Sequence, residues 1–122
     1  MSRFLVGIFL FLFVVPSVAE ETGIASWYGP RFHGRLTASG EVYNMFGMTA
    51  AHRKLPLGTV VSVENTLNGK FVTVVINDRG PYIDGRMLDV SYGVAQKLGM
   101  VEIGICPVKI TVIGRGKKWL KS

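Results

Sequence analysis

Cysteine is nearly absent from this chain. A single Cys106 in 122 residues rules out an intramolecular disulfide, so the fold has to rest on packing. Cys106 lies between Ile105 and Pro107 in an apolar run, a setting for a buried, inert thiol rather than a nucleophile. Histidine is almost as scarce. His33 and His52 stand nineteen apart with no HxH or HExxH spacing, so no metal site is expected, and nothing points to an organic cofactor. Acidic residues are few, eight against fourteen basic ones. The longest apolar run, Phe4 to Val15, has twelve residues, short of the ~20 that span a bilayer. No internal repeat is visible.

The apolar run reads instead as part of an export signal. Arg3 supplies a positive start, Pro16 ends the run, and Ser17-Val18-Ala19 is a small-x-small cleavage site. Residues 1–19 are therefore expected to be a signal peptide, which places the protein in the periplasm or cell envelope with no stable membrane insertion after cleavage. No cysteine stands where a lipid would be attached, so no lipid anchor is expected. Residues 20–114 are enough for one core and too few for two, and a monomer is expected. Residues 115–122, Arg115-Gly-Lys-Lys-Trp-Leu-Lys-Ser122, form a basic tail with little to bury. Without Arg3 the balance is thirteen basic against eight acidic residues, net +5. That charge suits an anionic partner, and export argues against nucleic acid.

Read in order, Gly23 to Gly29 alternates small and large residues and predicts an opening strand. Trp27 and Tyr28 would point to opposite faces, one into the core and one towards a surface where a ring can stack on a sugar. Arg31 to Gly47 is glycine-rich and irregular, and a long loop in so small a domain is often functional. It carries His33, Arg35, Thr37, Ser39 and Glu41. His52 follows two alanines, and Pro56 with Gly58 makes a turn. Val60 to Asn65 and Phe71 to Ile76 read as a hairpin, with Asn68-Gly69 supporting the positive φ angles of a type I′ turn. Asp84-Gly85 is another turn. Ser91 to Gly99 reads as a short helix, capped by Ser91 and stopped by Gly99. Asp89, just before it, reads as a structural acid at the helix entrance. Gly104 to Gly114 is the last strand. Five or six strands, frequent glycine turns and one short helix suit a small β-barrel.

The centre of interest is Phe71 to Tyr82. Its first six residues carry no charge and predict a buried strand. Asn77-Asp78-Arg79 follows at once, and Gly80-Pro81 closes the segment. Read alone, this is an Asx-type strand ending. Yet a carboxylate and a guanidinium at the end of a buried strand are costly unless paired or used.

Several ordered motifs extend that picture: Gly23-Ile-Ala-Ser-Trp-Tyr-Gly, Thr37-Ala-Ser-Gly-Glu, Thr49-Ala-Ala-His-Arg, Leu55-Pro-Leu-Gly-Thr, Asn77-Asp-Arg-Gly-Pro-Tyr and Leu88-Asp-Val-Ser. Together they resemble the RlpA (rare lipoprotein A) family of bacterial cell-envelope proteins, from Thr22 to about Gly114. The resemblance implies a mainly β fold, a six-stranded double-psi β-barrel with one or two short helices, shared with expansins. It implies lytic transglycosylase activity on peptidoglycan glycan strands. By motif position it implies catalytic roles for Asp78, Glu41 and His52.

Such an enzyme needs one acid to protonate the leaving oxygen and then the same group as base. That base activates the muramic acid's own C6 hydroxyl, which closes a 1,6-anhydro ring. Asp78 is the expected acid/base. Arg79, if it pointed at Asp78, would oppose protonation, so it is expected to point elsewhere or to bind substrate. His52 is expected to bond Glu41 or to stabilise developing charge. Trp27, Tyr28, Arg79, Tyr82, Thr37 and Ser39 complete the expected substrate-binding set. Two other readings stand beside this one: a non-catalytic, expansin-like glycan-binding module, and a structural envelope protein that docks through its basic surface.

Overall fold

The computed structural model describes residues 19–29 and 32–116. The signal-peptide reading of residues 1–18 and the tail reading of residues 117–122 lie outside the described residues. Among the described residues there are six strands, β1 (Glu20–Trp27), β2 (Thr49–His52), β3 (Thr59–Asn65), β4 (Phe71–Asp78), β5 (Leu88–Val90) and β6 (Ile105–Arg115), with one helix, α1 (Tyr92–Leu98), between β5 and β6. They close into a barrel in the order β1-β5-β2-β4-β3-β6. Closure leaves no free sheet edge. The β1–β5 and β2–β4 pairs are parallel, and the rest are antiparallel. This is the double-psi β-barrel that the motifs imply.

The core follows from alternation. Val61 and Val63 of β3, Val74 and Ile76 of β4, and Cys106, Val108 and Ile110 of β6 all point inward and are at most 1% exposed. Val94, Ala95 and Leu98 of α1 close one end of the barrel. Ser91 caps α1 by accepting from Val94 N–H at 3.1 Å, and Gly99 ends it at φ 69°. Both ends of the helix therefore lie where the sequence places them. Cys106 is buried, and desolvation pushes its thiol up from the ordinary value. That agrees with an inert role.

Two expectations need correction, and two strands gave no sign of themselves in the sequence. β2 and β5 are only four and three residues long, too short to show a period in sequence. The last strand runs through Arg115, so the basic tail starts later than expected. The β3–β4 connection is a five-residue loop, not a two-residue type I′ turn. Only Gly69 has positive φ, at 79°, and Asn68 does not. The loop is organised by Asn65, whose carbonyl accepts from the N–H groups of Asn68 and Gly69 and whose side chain ties Leu67 N–H to Leu98 O. An Asx-type anchor therefore does the work that positive φ angles do in a type I′ turn.

Ile76 sits in the closed barrel with no exposed surface. Ile76→Ala is expected to cost about 2–5 kcal/mol, read as a fall in urea midpoint at unchanged slope. Cys106 is expected to stay unreactive towards a thiol reagent until the barrel is unfolded.

Candidate active site

The site begins with one irregularity. β2 and β4 run parallel with Thr49 beside Val75 and Ala50 beside Ile76, but Ala51 lies beside Asp78. Asn77 is thus an extra residue, a β-bulge. Ala50 and Ile76 are fully buried in the core. Because side chains alternate, regular pairing would turn Asp78 to the same inner face as Ile76. The bulge turns it out instead, level with Ala51. On the other side of β2, Ala51 pairs with Asp89 of β5, and Asp89 pairs with Ser26 of β1. A single row, Ser26–Asp89–Ala51–Asp78, therefore crosses four adjacent strands. The two carboxylates stand on strands separated only by β2, about 10 Å apart at their backbones.

This row forms the floor of a cleft of about 230 Å³. Asp78, Asp89 and Ala51 line it together with Tyr28 and Phe32 on one side and the 79–83 turn on the other. Tyr82 stands at the rim, 75% exposed. The Tyr28 hydroxyl is buried and has no hydrogen-bond partner. Desolvation, and secondly the charge of Asp78, raise its pKa well above the ordinary tyrosine value. It is thus a neutral O–H donor facing two carboxylates, with a buried polar atom still to be satisfied.

Asp78 is fixed from the backbone. Its Oδ1 accepts from Ala38 N–H and from Arg79 N–H, each at 2.9 Å. Ala38 belongs to a tight hairpin whose stem is the Leu36–Val42 bridge. Thr37 and Ser39 hold that hairpin together: their hydroxyls lie 2.8 Å apart, Thr37 donates to Glu41 O at 2.9 Å, and Ser39 accepts from Glu41 N–H at 3.3 Å. Ser39 N–H also donates to Asn77 O at 3.1 Å, across to the bulge. Thr37 is 7% exposed, so its hydroxyl shapes the loop and does not face the cleft. The side chain of Glu41 meets Asn77 Nδ2 at 3.5 Å. The irregular loop of the sequence reading is therefore a structured brace on Asp78.

Other expected site residues lie elsewhere. The Arg79 guanidinium turns away from Asp78 and donates to His52 O at 3.1 Å and Leu55 O at 2.8 Å, so it braces the segment after β2. The His52 side chain, next to Ala51 in the strand, points away from the cleft. Its Nε2 meets Glu21 Oε1 at 2.9 Å, and its Nδ1 accepts from Lys54 and Leu55 N–H at 3.0 Å each. These bonds assign the proton to Nε2 and replace the expected bond to Glu41. Trp27 packs on the core and donates from its indole to Val101 O at 3.2 Å. It does not line the cleft, whereas Tyr28 does. Asp89 was missed as a cleft residue. It belongs to β5, and the helix cap two residues later is Ser91. Asp89 accepts a short hydrogen bond from Ser26 Oγ, which in turn accepts from Arg86 at 3.0 Å. The spacing of Asp78 and Asp89 carried no sign of this, because a bulge and a third strand bring them level. Among the described residues no cluster of three or more His, Cys, Asp or Glu is placed to hold a metal.

The Tyr28 shift has a consequence for alkaline stability. Above the ordinary tyrosine value of 10.0 the unfolded chain loses the phenolic proton while the folded one keeps it. Stability should therefore fall as pH rises past about 10. Tyr28→Phe is expected to flatten that fall, measured as Tm between pH 9 and 11.

Comparison with known proteins shows the family. The profile of the lytic transglycolase family matches residues 20–110. The endolytic peptidoglycan transglycosylase RlpA of Vibrio cholerae is 53% identical over 98 residues, 80% of this chain and 37% of that protein. The protein of the same name from Neisseria meningitidis serogroup B is 55% identical over 102 residues, 82% of this chain and 43% of that protein. The chain thus spans about two fifths of the length of these curated relatives. Among solved structures, a Streptomyces papain inhibitor superposes with a TM-score of 0.63 at 20% identity, covering 81% of this chain and 98% of the inhibitor. A Clavibacter michiganensis expansin in complex with cellohexaose superposes with a TM-score of 0.61 at 19% identity, covering 78% of this chain and 50% of the expansin. At such identities these structures speak for the barrel alone, but the sequence match is decisive: the chain belongs to the lytic transglycolase family.

Proposed function

We propose that this domain cleaves the β-1,4 bond between N-acetylmuramic acid and N-acetylglucosamine in peptidoglycan, in the cell envelope, as a lytic transglycosylase. The observation that carries the reading is the pair of carboxylates, Asp78 and Asp89, level across Ala51 on the floor of one cleft. Asp78 is the acid/base. Backbone N–H groups hold its Oδ1, and Oδ2 is left to meet the scissile oxygen. In the first half of the reaction Asp78 gives its proton to the glycosidic oxygen as the C1–O4 bond breaks. In the second it takes the proton from the C6 hydroxyl as O6 bonds to C1, closing the anhydro ring and regenerating the acid. No water is consumed. Asp89 faces the positive charge that develops at C1, as a second carboxylate does in glycoside cleavage. Its bond from Ser26, backed by Arg86, holds it in place.

Tyr28 and Tyr82 supply binding. Tyr28 presents its ring in the cleft wall, with its hydroxyl buried beneath. The exposed Tyr82 ring offers a face to a pyranose. Glu41, Thr37 and Ser39 act through the hairpin that orients Asp78. Arg79 and His52 act as positioning residues behind the floor.

A second reading has one observation in its favour. The fold is shared with an expansin solved in complex with cellohexaose, and His52 stands outside the cleft. A non-catalytic, glycan-binding module would use the same cleft without bond cleavage.

Mass spectrometry of the soluble products from purified sacculi decides between the two. Chains ending in 1,6-anhydro-N-acetylmuramic acid are expected. Asp78→Asn should lower their rate of release by at least about a hundredfold. Binding of sacculi without products would establish the binding module, and reducing-end products would mean hydrolysis. For His52→Ala, activity should fall together with Tm, because the Glu21 bond and the two backbone bonds are lost. A large kcat loss at unchanged Tm would return His52 to the catalytic set.

A further inference from the structure

A chain of aromatic rings leads out of the cleft. Tyr28, in the cleft wall, lies 4.6 Å from Tyr43 between ring centroids. Tyr43 lies 6.5 Å from His33, His33 lies 6.2 Å from Phe46, and Phe46 lies 6.1 Å from Tyr92. Tyr43 is 2% exposed and belongs to the core, but Phe46 is 60% exposed. Tyr92 opens onto a second, shallow concavity of about 430 Å³ that it shares with Gln96, Val101 and Glu102. Because Tyr43 lies in the core, the surface link from the cleft runs from Phe32, which lines it, through the adjoining exposed His33 to Phe46 and Tyr92.

Phe46 is held in this exposed position by its surroundings. Gly93 N–H donates to Met45 O at 2.8 Å, and Ser91 Oγ donates to Gly47 O at 2.5 Å, so the first turn of α1 grips both neighbours of Phe46. Phe46 N–H donates to Asn44 Oδ1 at 3.0 Å, and Met45 N–H donates to His33 Nδ1 at 3.1 Å. The helix approaches so closely that a Cβ on Gly93 would lie 2.7 Å from Phe46 O. A Phe ring left in water forgoes the stabilisation of burial. Here five local features hold the backbone that carries it at the surface.

We propose that Phe46, with His33 and Tyr92 at its edges, is a stacking platform for a distal part of the glycan strand whose scissile bond lies in the cleft. The ligand class is a β-linked polymer of N-acetylated hexosamines. Its sugars present an apolar face to Phe46, and their amide and hydroxyl groups meet Gln96 and Glu102. The inference rests on the glycan-cleaving reading of the cleft. Its evidence is the continuity of Phe46 and His33 with Phe32 in the cleft wall and the fixed backbone beneath Phe46.

The test is calorimetric titration with peptide-free glycan fragments of four and of eight sugars, in an Asp78→Asn background so that the strand is not consumed. Phe46→Ala is expected to weaken binding of the octasaccharide about fivefold, the order of one aromatic contact. Tetrasaccharide affinity should be unchanged, and Phe46→Trp should restore the octasaccharide. An equal loss at both lengths, no loss at either, or no binding of either fragment before mutation would overturn the platform. Sacculus cleavage is scored separately on the protein with Asp78 intact. Length-dependent binding without anhydro products would sink the transglycosylase reading and leave the platform standing.

Discussion

The bulge at Asn77 is the constraint on which the rest of the site depends. Strand alternation is strict, and a parallel pair gives it no freedom unless one strand carries an extra residue. With that residue, β4 keeps Val74 and Ile76 in the core and still turns Asp78 outward. Without it, the same sequence would bury a carboxylate among valines, which folding would resist. The bulge in turn is supported from outside: Ser39 N–H bonds Asn77 O, and the Glu41 side chain reaches Asn77 Nδ2. The glycine-rich hairpin and the strand irregularity are therefore one unit, although they lie almost forty residues apart.

The two carboxylates are held in different ways. Backbone N–H groups fix Asp78 from a loop and from its own chain, whereas a serine hydroxyl backed by an arginine fixes Asp89. Groups with different neighbours can take different roles even when they share a cleft. Near both, the Tyr28 hydroxyl is buried without an acceptor, which is costly.

Much of the fold was legible in the sequence because long elements announce themselves. β3, β4 and β6 alternate over seven to eleven residues, and α1 carries both of its stop signals. β2 and β5 do not, since three or four buried residues show no period. The resemblance located Asp78, but the geometry around it was hidden. Asp89 sits beside a helix cap in the sequence and opposite Asp78 in space only because β2 lies between them. His52 misled for the opposite reason. A histidine between an alanine and an arginine looks poised for chemistry, yet strand alternation turns it from the face that carries Ala51, and Glu21 meets it there. Residue type suggested the chemistry, and parity across the sheet decided which side chain faces the cleft.

The arginines show one more thing. Arg53 Nη1 bonds the carbonyls of Pro81 and Arg86, Arg79 Nη1 bonds those of His52 and Leu55, and Arg115 Nη2 bonds that of Leu57. Arg53 ties the segment after β2 to residues 81–86, Arg79 ties the turn after β4 to residues 52–55, and Arg115 ties β6 to Leu57, non-covalent cross-links in a chain with a single thiol. A lysine at any of these places would keep the charge and lose the planar fork. The excess of positive charge therefore cannot be read simply as attraction for an anionic polymer, because part of it is the mortar between the loops that shape the mouth of the barrel.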